Sequence, residues 1–441
     1  MVLLVGLAGG CSGGNTPSAE SHDAGSESTS SGVTTFSTDE NSSTSEGTGA
    51  PVLLCTGQSD PVWCFEQREL STGIVAFDLD GDGWDDFLAT DEYGEKVQMY
   101  RNPDGHSEQL LWEMDSGNPP VMPRVHDLDG DGVPELLVAQ GAGGVGIDRS
   151  VLLFRLSLDG ATPLAEVPVE HNWYVGEFAI LDANEDGHLD IVALADGAAR
   201  MQILRGDGAL EFEVLPEFQT EDTLSASEGV DWGDVDGDGH IDIAVPTGGT
   251  QSPTILFGDG MGQFIEHTNV PVEDAYRRPW LVDLDNDGSQ DVLTSTSDGF
   301  AIAYSRPSRT FELVRQGIGM PPNDGAEPFV FQPVDLDGDG FPELVGFQDD
   351  LMTWDEQTAS GHYAASLLVY SDITAEGYLT ARSALFEDNC DDARENFFGD
   401  QGPLRVDDDA HPDLGFAWTT SCPLAPSGAQ TSHPVALLYR P

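Results

Sequence analysis

The sequence predicts an all-β protein, a seven-bladed β-propeller with four-stranded antiparallel blades, on three observations. First, a short acidic loop that runs directly into an apolar, β-rich segment occurs seven times. Second, the loops begin at intervals of 49, 55, 52, 49, 52 and 70 residues, a period typical of repeat architectures. Third, four short β-rich segments, separated by Gly, Ser, Pro or Asp, follow one another between loops, and no long helical periodicity occurs.

The acidic loops have acids at positions 1, 3, 5 and 9 and a Gly at position 6, except that the third has Asn184 at position 3, which still offers an oxygen. We number them loops 1 to 7, and they begin at Asp78 (DLDGDGWDD), Asp127 (DLDGDGVPE), Asp182 (DANEDGHLD), Asp234 (DVDGDGHID), Asp283 (DLDNDGSQD), Asp335 (DLDGDGFPE) and Arg405 (RVDDDAHPD). Loop 7 is degenerate, because Arg405 replaces the first acid and Ala410 replaces the Gly.

Acids at this spacing form an oxygen cage for a hard cation. In loop 1, Asp78, Asp80, Asp82 and Asp86 bring four carboxylates within nine residues, and Gly83 permits a sharp turn between them. Carboxylates this close repel one another unless a cation lies between them. Ca²⁺ takes about 6–8 oxygen ligands in a flexible shell, whereas Mg²⁺ demands a tighter octahedron and Zn²⁺ prefers His or Cys. The sequence therefore predicts calcium.

An EF-hand opens with the same spacing, but it requires Glu at position 12 and a helix on each side. Position 12 is Ala89 in loop 1 and Val138 in loop 2, and the segments after position 9 are β-rich. A single acidic turn could also be a solvated Asx-turn. Six intact copies at regular spacing argue against that interpretation.

These loops resemble the FG-GAP/VCBS repeat, the unit of the integrin α-subunit β-propeller and of many bacterial surface proteins. The resemblance covers residues 52–441 and rests on the repeated string DxDGDGxxD followed by Leu, Ile or Val. The FG and GAP signatures themselves are poorly kept, so VCBS is the closer label. The resemblance implies four-stranded blades in which the acidic loop joins the innermost strand to the second.

The same resemblance implies about six calcium sites and a degenerate seventh. Their ligands are side-chain oxygens at positions 1, 3, 5 and 9 and a backbone carbonyl at position 7. The implied ligands are Asp78, Asp80, Asp82, Trp84 and Asp86; Asp127, Asp129, Asp131, Val133 and Glu135; Asp182, Asn184, Asp186, His188 and Asp190; Asp234, Asp236, Asp238, His240 and Asp242; Asp283, Asp285, Asp287, Ser289 and Asp291; Asp335, Asp337, Asp339, Phe341 and Glu343; and Asp407, Asp409 and Asp413.

The last repeat lacks a fourth strand. It offers an inner strand near Phe397–Val406, followed by the segments DLGFAWT and VALLYR. Val62–Arg68 matches the outer strands of other repeats in place and character. Because an open sheet edge invites aggregation, we expect this N-terminal strand to be the outer strand of the last blade.

Three regions precede or form the repeats. Residues 1–11 read MVLLVGLAGGC and resemble a bacterial lipobox with Cys11 as the lipidated residue. Residues 12–50, rich in Ser, Thr, Gly and acids, are typical of a flexible tether, and residues 51–441 hold the repeats. The apolar start is too short to span a membrane. We expect an exported, monomeric bacterial lipoprotein that faces the periplasm or the cell surface.

The formal net charge of −62 and the single lysine, Lys96, argue against nucleic acid and anionic membrane as partners. A membrane is therefore expected to be contacted only through a lipid anchor.

Four cysteines besides Cys11 suggest two disulfides in an exported chain, with three possible connectivities. We favour Cys55–Cys64 with Cys390–Cys422; the alternative bridges the N-terminal strand to the last blade. The spacing shows no zinc signature.

Three long connections, Gln348–Ala365, Glu387–Pro403 and Thr419–Pro434, fall in the last two repeats, on the face opposite the acidic loops. Loops on a rigid scaffold commonly carry function. The candidate partner-binding residues on this face are Trp173, Tyr276, Arg277, Arg278, Trp354, Tyr363, Phe397 and Phe398. The alternative is that these aromatic residues hold the loops onto the scaffold.

The sequence contains no nucleophile elbow, zinc-protease motif or phosphate-binding loop, so no catalytic residues are assigned and an enzyme is not expected. We expect a calcium-stabilised binding or adhesion module for a carbohydrate or an extracellular protein. The alternatives are a lyase-like polysaccharide-active enzyme on a calcium propeller and a purely structural surface protein.

Overall fold

In a computed structural model of the protein, the strands of the described residues form seven antiparallel sheets. The structure describes residues 52–55, 64–69, 74–91, 96–103, 109–115, 121–139, 150–169, 174–220, 223–226, 229–247, 252–297, 299–317, 330–335, 341–355, 360–374, 377–388, 414–417 and 434–439. These residues contain no α-helix, which confirms the all-β prediction for this part of the chain. Within the same ranges, no helix is long and apolar enough to cross a membrane.

The strands are short in most of the chain and long near its C-terminal end. In chain order they are β1 (Val52–Cys55), β2 (Cys64–Glu69), β3 (Ile74–Phe77), β4 (Asp86–Asp91), β5 (Lys96–Arg101), β6 (Gln109–Asp115), β7 (Val121–His126), β8 (Glu135–Ala139), β9 (Ser150–Ser157), β10 (Gly160–Pro168), β11 (Tyr174–Leu181), β12 (Asp190–Asp196), β13 (Arg200–Gly206), β14 (Phe212–Val214), β15 (Phe218–Gln219), β16 (Asp231–Gly233), β17 (Asp242–Val245), β18 (Thr254–Phe257), β19 (Glu266–Asn269), β20 (Ala275–Val282), β21 (Asp291–Thr296), β22 (Gly299–Arg306), β23 (Thr310–Gly317), β24 (Val330–Val334), β25 (Glu343–Asp355), β26 (Ser360–Thr374), β27 (Gly377–Asp388), β28 (Leu414–Ala417) and β29 (Pro434–Tyr439).

Six of the sheets follow the chain as simple meanders. Their orders are β3–β4–β5–β6, β7–β8–β9–β10, β11–β12–β13–β14, β16–β17–β18–β19, β20–β21–β22–β23 and β24–β25–β26–β27, and β15 also pairs with β13. In each of them the acidic loop connects the first strand to the second. The first strands of neighbouring sheets contact one another, as β3 does with β7, β7 with β11, β16 with β20 and β20 with β24. This arrangement is consistent with a propeller-like fold.

The hydrophobic core lies between successive sheets. One cluster joins Leu153 of β9 to Phe178 of β11 and Leu204 of β13, which belong to adjacent sheets. Central strands are buried on both faces, so every residue of β21 is buried. The outer strand β23 instead alternates between exposed and half-buried residues. The continuous apolar runs in the sequence are therefore central strands with a sheet on each side.

The N-terminal segment completes the last sheet with two strands rather than one. β2 pairs with β29 from Cys64↔Tyr439 to Glu69↔Pro434, and β1 pairs with the free edge of β2. The resulting order is β1–β2–β29–β28. The predicted pairing of this segment with the last sheet is confirmed. Its predicted place as the outer strand is wrong, because β1, a four-residue apolar run with no period of its own, lies outside it.

The predicted long connection Gln348–Ala365 is also wrong, because residues 348–355 and 360–365 form paired strands. β25 and β26 continue past Phe347, the partner of Val330 in β24, as far as the pair Asp355↔Ser360. Cross-strand backbone hydrogen bonds can hold such a hairpin whatever its side chains are. The extension reaches about 25 Å beyond the start of β24, at about 3.3 Å per residue.

Several predictions fall outside the described residues. They are the lipobox with Cys11, the tether at residues 12–50, the inner strand Phe397–Val406 and most of the connections Glu387–Pro403 and Thr419–Pro434. These stay predictions.

Removing β1 and β2 should leave β29 as an unpaired edge. A chain that starts at residue 71 should therefore aggregate or unfold at a lower temperature than a chain that starts at residue 51, which keeps both strands. Thermal unfolding and light scattering measure the difference. A monomeric chain from residue 71 with an unchanged Tm would contradict this role for the N-terminal strands.

Candidate metal centre

The acidic loops turn twice through left-handed backbone conformations. In loops 1 to 5, position 6 is Gly with φ between 84° and 98°, where a side chain would be strained. Position 4 is also left-handed, with φ between 56° and 75°, and it carries the non-glycine residues Glu185 and Asn286 in loops 3 and 5. The motif predicted the turn at position 6, whereas the left-handed conformation at position 4 became visible only in the structure.

The acid at position 1 holds the turn closed. In loop 1, Asp78 Oδ1 accepts hydrogen bonds from the backbone N–H groups of Gly81 at 2.8 Å and Asp82 at 3.1 Å. Asp78 Oδ2 accepts another from Gly83 at 2.9 Å. The bonds from positions 5 and 6 recur in loops 2 to 5. This carboxylate therefore shapes the loop whether or not it also binds a cation.

The acid at position 9 is buried and joins three parts of each sheet. In loop 4, Asp242 is fully buried; its Oδ2 accepts the N–H of Val235 at 2.9 Å, and its Oδ1 accepts that of Gly258 in the third-strand segment at 2.9 Å. The same pair of bonds occurs at position 9 of loops 1, 3 and 5. In loop 2, the longer Glu135 accepts the N–H of Leu128 and the guanidinium of Arg155.

Burial shifts the proton affinity of these acids. It raises the pKa of Asp242 to about 7, and the pKa of Asp190 and Asp291 to about 6, against the opposing effect of the backbone hydrogen bonds. The neighbouring loop carboxylates raise these pKa values further. The pKa of Asp86 and of Glu135 is raised for the same reasons. A cation beside them would favour the charged form and lower the pKa again.

The acids at positions 1, 3 and 9 converge. Their oxygen atoms lie within 4.8 Å of one another in four loops, in the groups Asp78, Asp80 and Asp86; Asp127, Asp129 and Glu135; Asp234, Asp236 and Asp242; and Asp283, Asp285 and Asp291. Loop 3 has the amide Asn184 at position 3 in place of an acid. In loop 5, Asp285 Oδ1 is buried without a hydrogen-bond partner among the described residues. These donor sets, all oxygen, fit a hard cation such as Ca²⁺.

The acid at position 5 supports the loop from the other side. Its Oδ1 accepts the backbone N–H of position 7 at 2.8–3.0 Å in loops 1 to 5. Of loop 6, Asp335, Phe341 and the buried Glu343 are described. Asp337 and Asp339, and the loop 7 candidates Asp407, Asp409 and Asp413, lie outside the described residues.

Four arginines that the sequence analysis did not single out reach the loop carboxylates. They are Arg101 at loop 1, Arg155 at loop 2, Arg309 at loop 4 and Arg306 at loop 5. Arg101 and Arg306 each lie 23 residues after the first acid of their loops, but so does Arg205, which pairs with Glu213 instead. Arg155 and Arg309 lie at other distances, so no fixed spacing in the sequence could have identified all four.

Loops of adjacent sheets touch one another. The N–H of Gln290, at position 8 of loop 5, donates to the carbonyl of Asp234 in loop 4 at 2.9 Å. The N–H of Gly262 donates to the carbonyl of Ala183 in loop 3 at 3.0 Å. The ring nitrogen Nδ1 of His240 lies 2.5 Å from Glu185 Oε1 of the neighbouring loop. Loops 3, 4 and 5 therefore form one continuous acidic edge.

The predicted partner-binding residues lie in strands wherever the structure describes them. Arg278 lies in β20 rather than in a connection, with 13% of its side chain exposed, 3.4 Å from Asp231 and above the ring of Trp280. Tyr276 and Arg277 belong to the same strand. The backbone positions of Trp354 in β25 and Tyr363 in β26 are part of the long hairpin. Trp173, Phe397 and Phe398 lie outside the described residues.

The backbone places two of the cysteines, Cys55 and Cys64, beside one another. Cys55 and Cys64 lie opposite one another in the register of β1 and β2. Residues directly opposite in antiparallel strands have Cα atoms about 4.5–5.5 Å apart, within the range of a disulfide. Cys390 and Cys422 lie outside the described residues, so both bridges stay predictions.

Comparison with known proteins identifies the repeats. The family described as FG-GAP-like repeat matches residues 78–138, 182–245 and 283–346. Each match begins at the first acid of a loop and continues through the next loop, so the three matches include all six intact loops. No sequence match to a curated protein was found.

Solved structures resemble the chain in fold. The structure of BBS1N in complex with ARL6DN is 13% identical, with a TM-score of 0.53, over 85% of this chain and 96% of that chain. A structure of an Agrocybe aegerita lectin that recognises non-reducing terminal N-acetylglucosamine is 19% identical, with a TM-score of 0.47, over 72% and 81% of the two chains. A Lactobacillus plantarum protein is 12% identical, with a TM-score of 0.46, over 77% and 96%. The likeness to BBS1N supports the propeller-like fold, and the family matches show FG-GAP-like repeats at three places in this chain.

Proposed function

We propose that the protein is a calcium-stabilised, seven-bladed β-propeller that acts as a binding or adhesion module. The observation that carries the proposal is the recurrence of one three-acid group at the same strand connection in four of the described sheets. A turn that served only to reverse the chain would not need three converging carboxylates, since these repel one another. The FG-GAP-like repeats are consistent with this function.

Calcium would be held by the acids at positions 1, 3 and 9, with the acid and carbonyl of positions 5 and 7 close by in the same turn. When bound, the ion supplies the positive charge that offsets their mutual repulsion. We propose six such sites, in loops 1 to 6, with loop 7 as a degenerate seventh. Because the formal net charge of the chain is −62, bound cations would also reduce the electrostatic repulsion across the whole protein.

A binding role fits the arrangement of the acids better than a catalytic role does. A general acid or base needs an oxygen that is free to reach a substrate proton. At positions 1 and 9, both carboxylate oxygens already accept backbone hydrogen bonds, as in Asp78 and Asp242. The carboxylates at positions 1 and 9 are therefore committed to holding the fold.

The long hairpin of β25 and β26 is the proposed partner-binding element. Loop 6 joins β24 to β25, so the turn between β25 and β26 lies at the opposite end of that sheet from the acidic loop. These strands have 13 and 15 residues, whereas no strand among the described residues outside this sheet exceeds nine. The hairpin carries Trp354 and Tyr363, and we propose a carbohydrate or an extracellular protein as its ligand. BBS1N, which shares the fold, was solved with a protein partner.

The proposal includes the cellular setting expected from the sequence. A lipidated Cys11 and the tether at residues 12–50 would display the propeller away from a membrane as a monomer. An oxidising compartment would allow the bridge Cys55–Cys64 across β1 and β2.

Calcium removal should destabilise the protein. Excess EGTA should lower the Tm by several degrees or more, because six sites of repelling carboxylates lose their cation together. Calcium should restore the Tm, whereas equimolar magnesium should not. Differential scanning calorimetry provides the measurement, and equal Tm values in calcium and EGTA would contradict the proposal.

Replacing the buried acid of loop 4 should destabilise the fold even without metal. In EGTA, Asp242→Ala should lower the free energy of unfolding by at least about 2 kcal/mol, since two buried N–H groups lose their acceptor. Asp238→Ala, which removes one exposed hydrogen bond, is the matched control and should cost about 1 kcal/mol or less. Urea titration compares the two variants. Equal losses would show that position 9 has no special structural role.

Shortening the hairpin should abolish partner binding and spare the fold. Replacing residues 350–364 by a tight turn removes the extension beyond the pair Asp349↔Ala365. The calcium-loaded Tm should change little, since the pairing of β24 with β25 is kept. A glycan array and a screen of extracellular proteins, run with both proteins, measure binding. A ligand that binds both equally would place the binding site elsewhere.

A further inference from the structure

The four arginines at the acidic loops contact the same two atoms in each loop. At loop 2, Arg155 Nη2 lies 2.7 Å from Asp129 Oδ2 and Nη1 lies 2.9 Å from Asp131 Oδ2. These are the acids at positions 3 and 5. Arg155 Nη2 also lies 2.9 Å from Glu135 Oε1, the acid at position 9. One guanidinium therefore bridges three of the carboxylates proposed to surround calcium.

The other three arginines repeat this contact. Arg101 pairs with Asp80 and lies 3.2 Å from Asp82 Oδ2 at loop 1. Arg306 Nη1 lies 2.8 Å from Asp285 Oδ2 and 3.5 Å from Asp287 Oδ2 at loop 5.

At loop 4 the arginine arrives from another sheet. Arg309 Nε lies 2.6 Å from Asp236 Oδ2, and its Nη2 lies 3.6 Å from Asp238 Oδ2.

These oxygens are the ones that remain for a cation. In loop 2, Asp129 Oδ1 accepts the N–H of Asp131, and Asp131 Oδ1 accepts the N–H of Val133. The second oxygen of each side chain thus faces away from these backbone bonds, toward Arg155. A guanidinium and a calcium ion are both attracted to these atoms, and calcium requires them at about 2.3–2.6 Å.

The arginines come from different places in the fold. Arg155 is the cross-strand partner of Glu135, and Arg101 follows Tyr100, the partner of Phe87, so both lie opposite position 9. Arg306 lies one residue after Ser305, which donates to Asp291.

Arg309 stands in the turn between β22 and β23 of the neighbouring sheet and lies 4.0 Å above the ring of Phe257. These arginines start from three kinds of position in the sheets, yet all of them contact loop carboxylates. What they share is therefore attraction to the negative charge of the loop, and not a common strand register.

Loop 3 is an internal comparison. Its position 3 is Asn184, whose amide Nδ2 donates to Asp186 Oδ2 at 3.0 Å, in the place that a guanidinium takes elsewhere. Arg205 follows Leu204, the partner of Ile191, so it is the counterpart of Arg101 in this sheet. It pairs with Glu213 instead of the loop. Where the acid at position 3 is absent, the arginine does not enter.

We propose that Arg101, Arg155, Arg306 and Arg309 are built-in counter-cations of the acidic loops, which neutralise them without metal and compete with calcium for the carboxylates at positions 3 and 5. Calcium must displace the guanidinium to bind. Loop 3 has no such competitor. At loop 4, metal binding would release Arg309 and with it a contact between adjacent sheets. The inference rests on the proposed calcium sites.

Terbium luminescence sensitised by Trp84 tests the competition at loop 1 in the full chain. Trp84 is the tryptophan at position 7 of this loop, and subtracting the signal of Trp84→Phe isolates its contribution. Arg101→Gln should move the Trp84-dependent midpoint to about two- to fivefold lower terbium, the range of an exposed ion pair. Arg205→Gln, the matched control, should leave it unchanged. In EGTA, Arg101→Gln should lower the Tm more than Arg205→Gln does.

The outcomes separate the competition from the calcium site itself. A wild-type protein without a Trp84-dependent terbium signal would refute the metal site and the competition with it. A wild-type signal whose midpoint does not fall in Arg101→Gln would refute the competition alone. If Arg101→Gln does not fold, Arg101→Lys carries the same test, since lysine keeps the charge but loses the bidentate fork and should bind terbium with an intermediate midpoint.

Discussion

The buried carboxylate at position 9 is the interaction on which each repeat depends. One of its oxygens accepts an N–H from the acidic loop and the other accepts an N–H from the third-strand segment, as Asp242 does with Val235 and Gly258. Because the residue at position 9 is also the first residue of the second strand, its side chain joins the loop to the second and third strands. A buried donor without an acceptor costs about 1–3 kcal/mol, so this single side chain determines the loop conformation in each sheet where it occurs.

Neighbouring sheets are joined by ion pairs between their first strands. Arg124 of β7 lies 2.6 Å from Glu177 of β11, and Arg278 of β20 pairs with Asp231 of β16. Asp231 also accepts the N–H of Leu281 at 2.9 Å. These pairs connect first strands that belong to different sheets and are largely buried. Breaking such a pair leaves a charge in a low-dielectric site, so the pairs restrict how neighbouring sheets can be placed while the apolar clusters supply most of the stabilisation.

The charge of the acidic edge connects the fold to the proposed function. The same carboxylates that shape the loops concentrate negative charge along one edge, and both arginines and calcium can compensate it. Only the start of β25, at Glu343, belongs to an acidic loop, and the extension of β25 and β26 beyond Phe347 lies at the other end of that sheet. The placement separates the side proposed to bind calcium from the side proposed to contact a partner.

The sequence by itself determined the repeat, the oxygen chemistry of the loops and the position of most strands, because these depend on local spacing: acids two residues apart converge in any such turn, and a short apolar run after the ninth residue becomes a strand. It could not place β1, since four apolar residues carry no period. It read the extension of β25 and β26 as a loop, since the pairing of these residues depends on the strand that faces them and not on local spacing. Only the tertiary structure decided that the ninth acid binds the third-strand segment and that arginines reach the loops, as Arg309 does from a neighbouring sheet. Those contacts join residues far apart in the chain, and their partners are chosen by the packing of strands and sheets rather than by spacing within the motif.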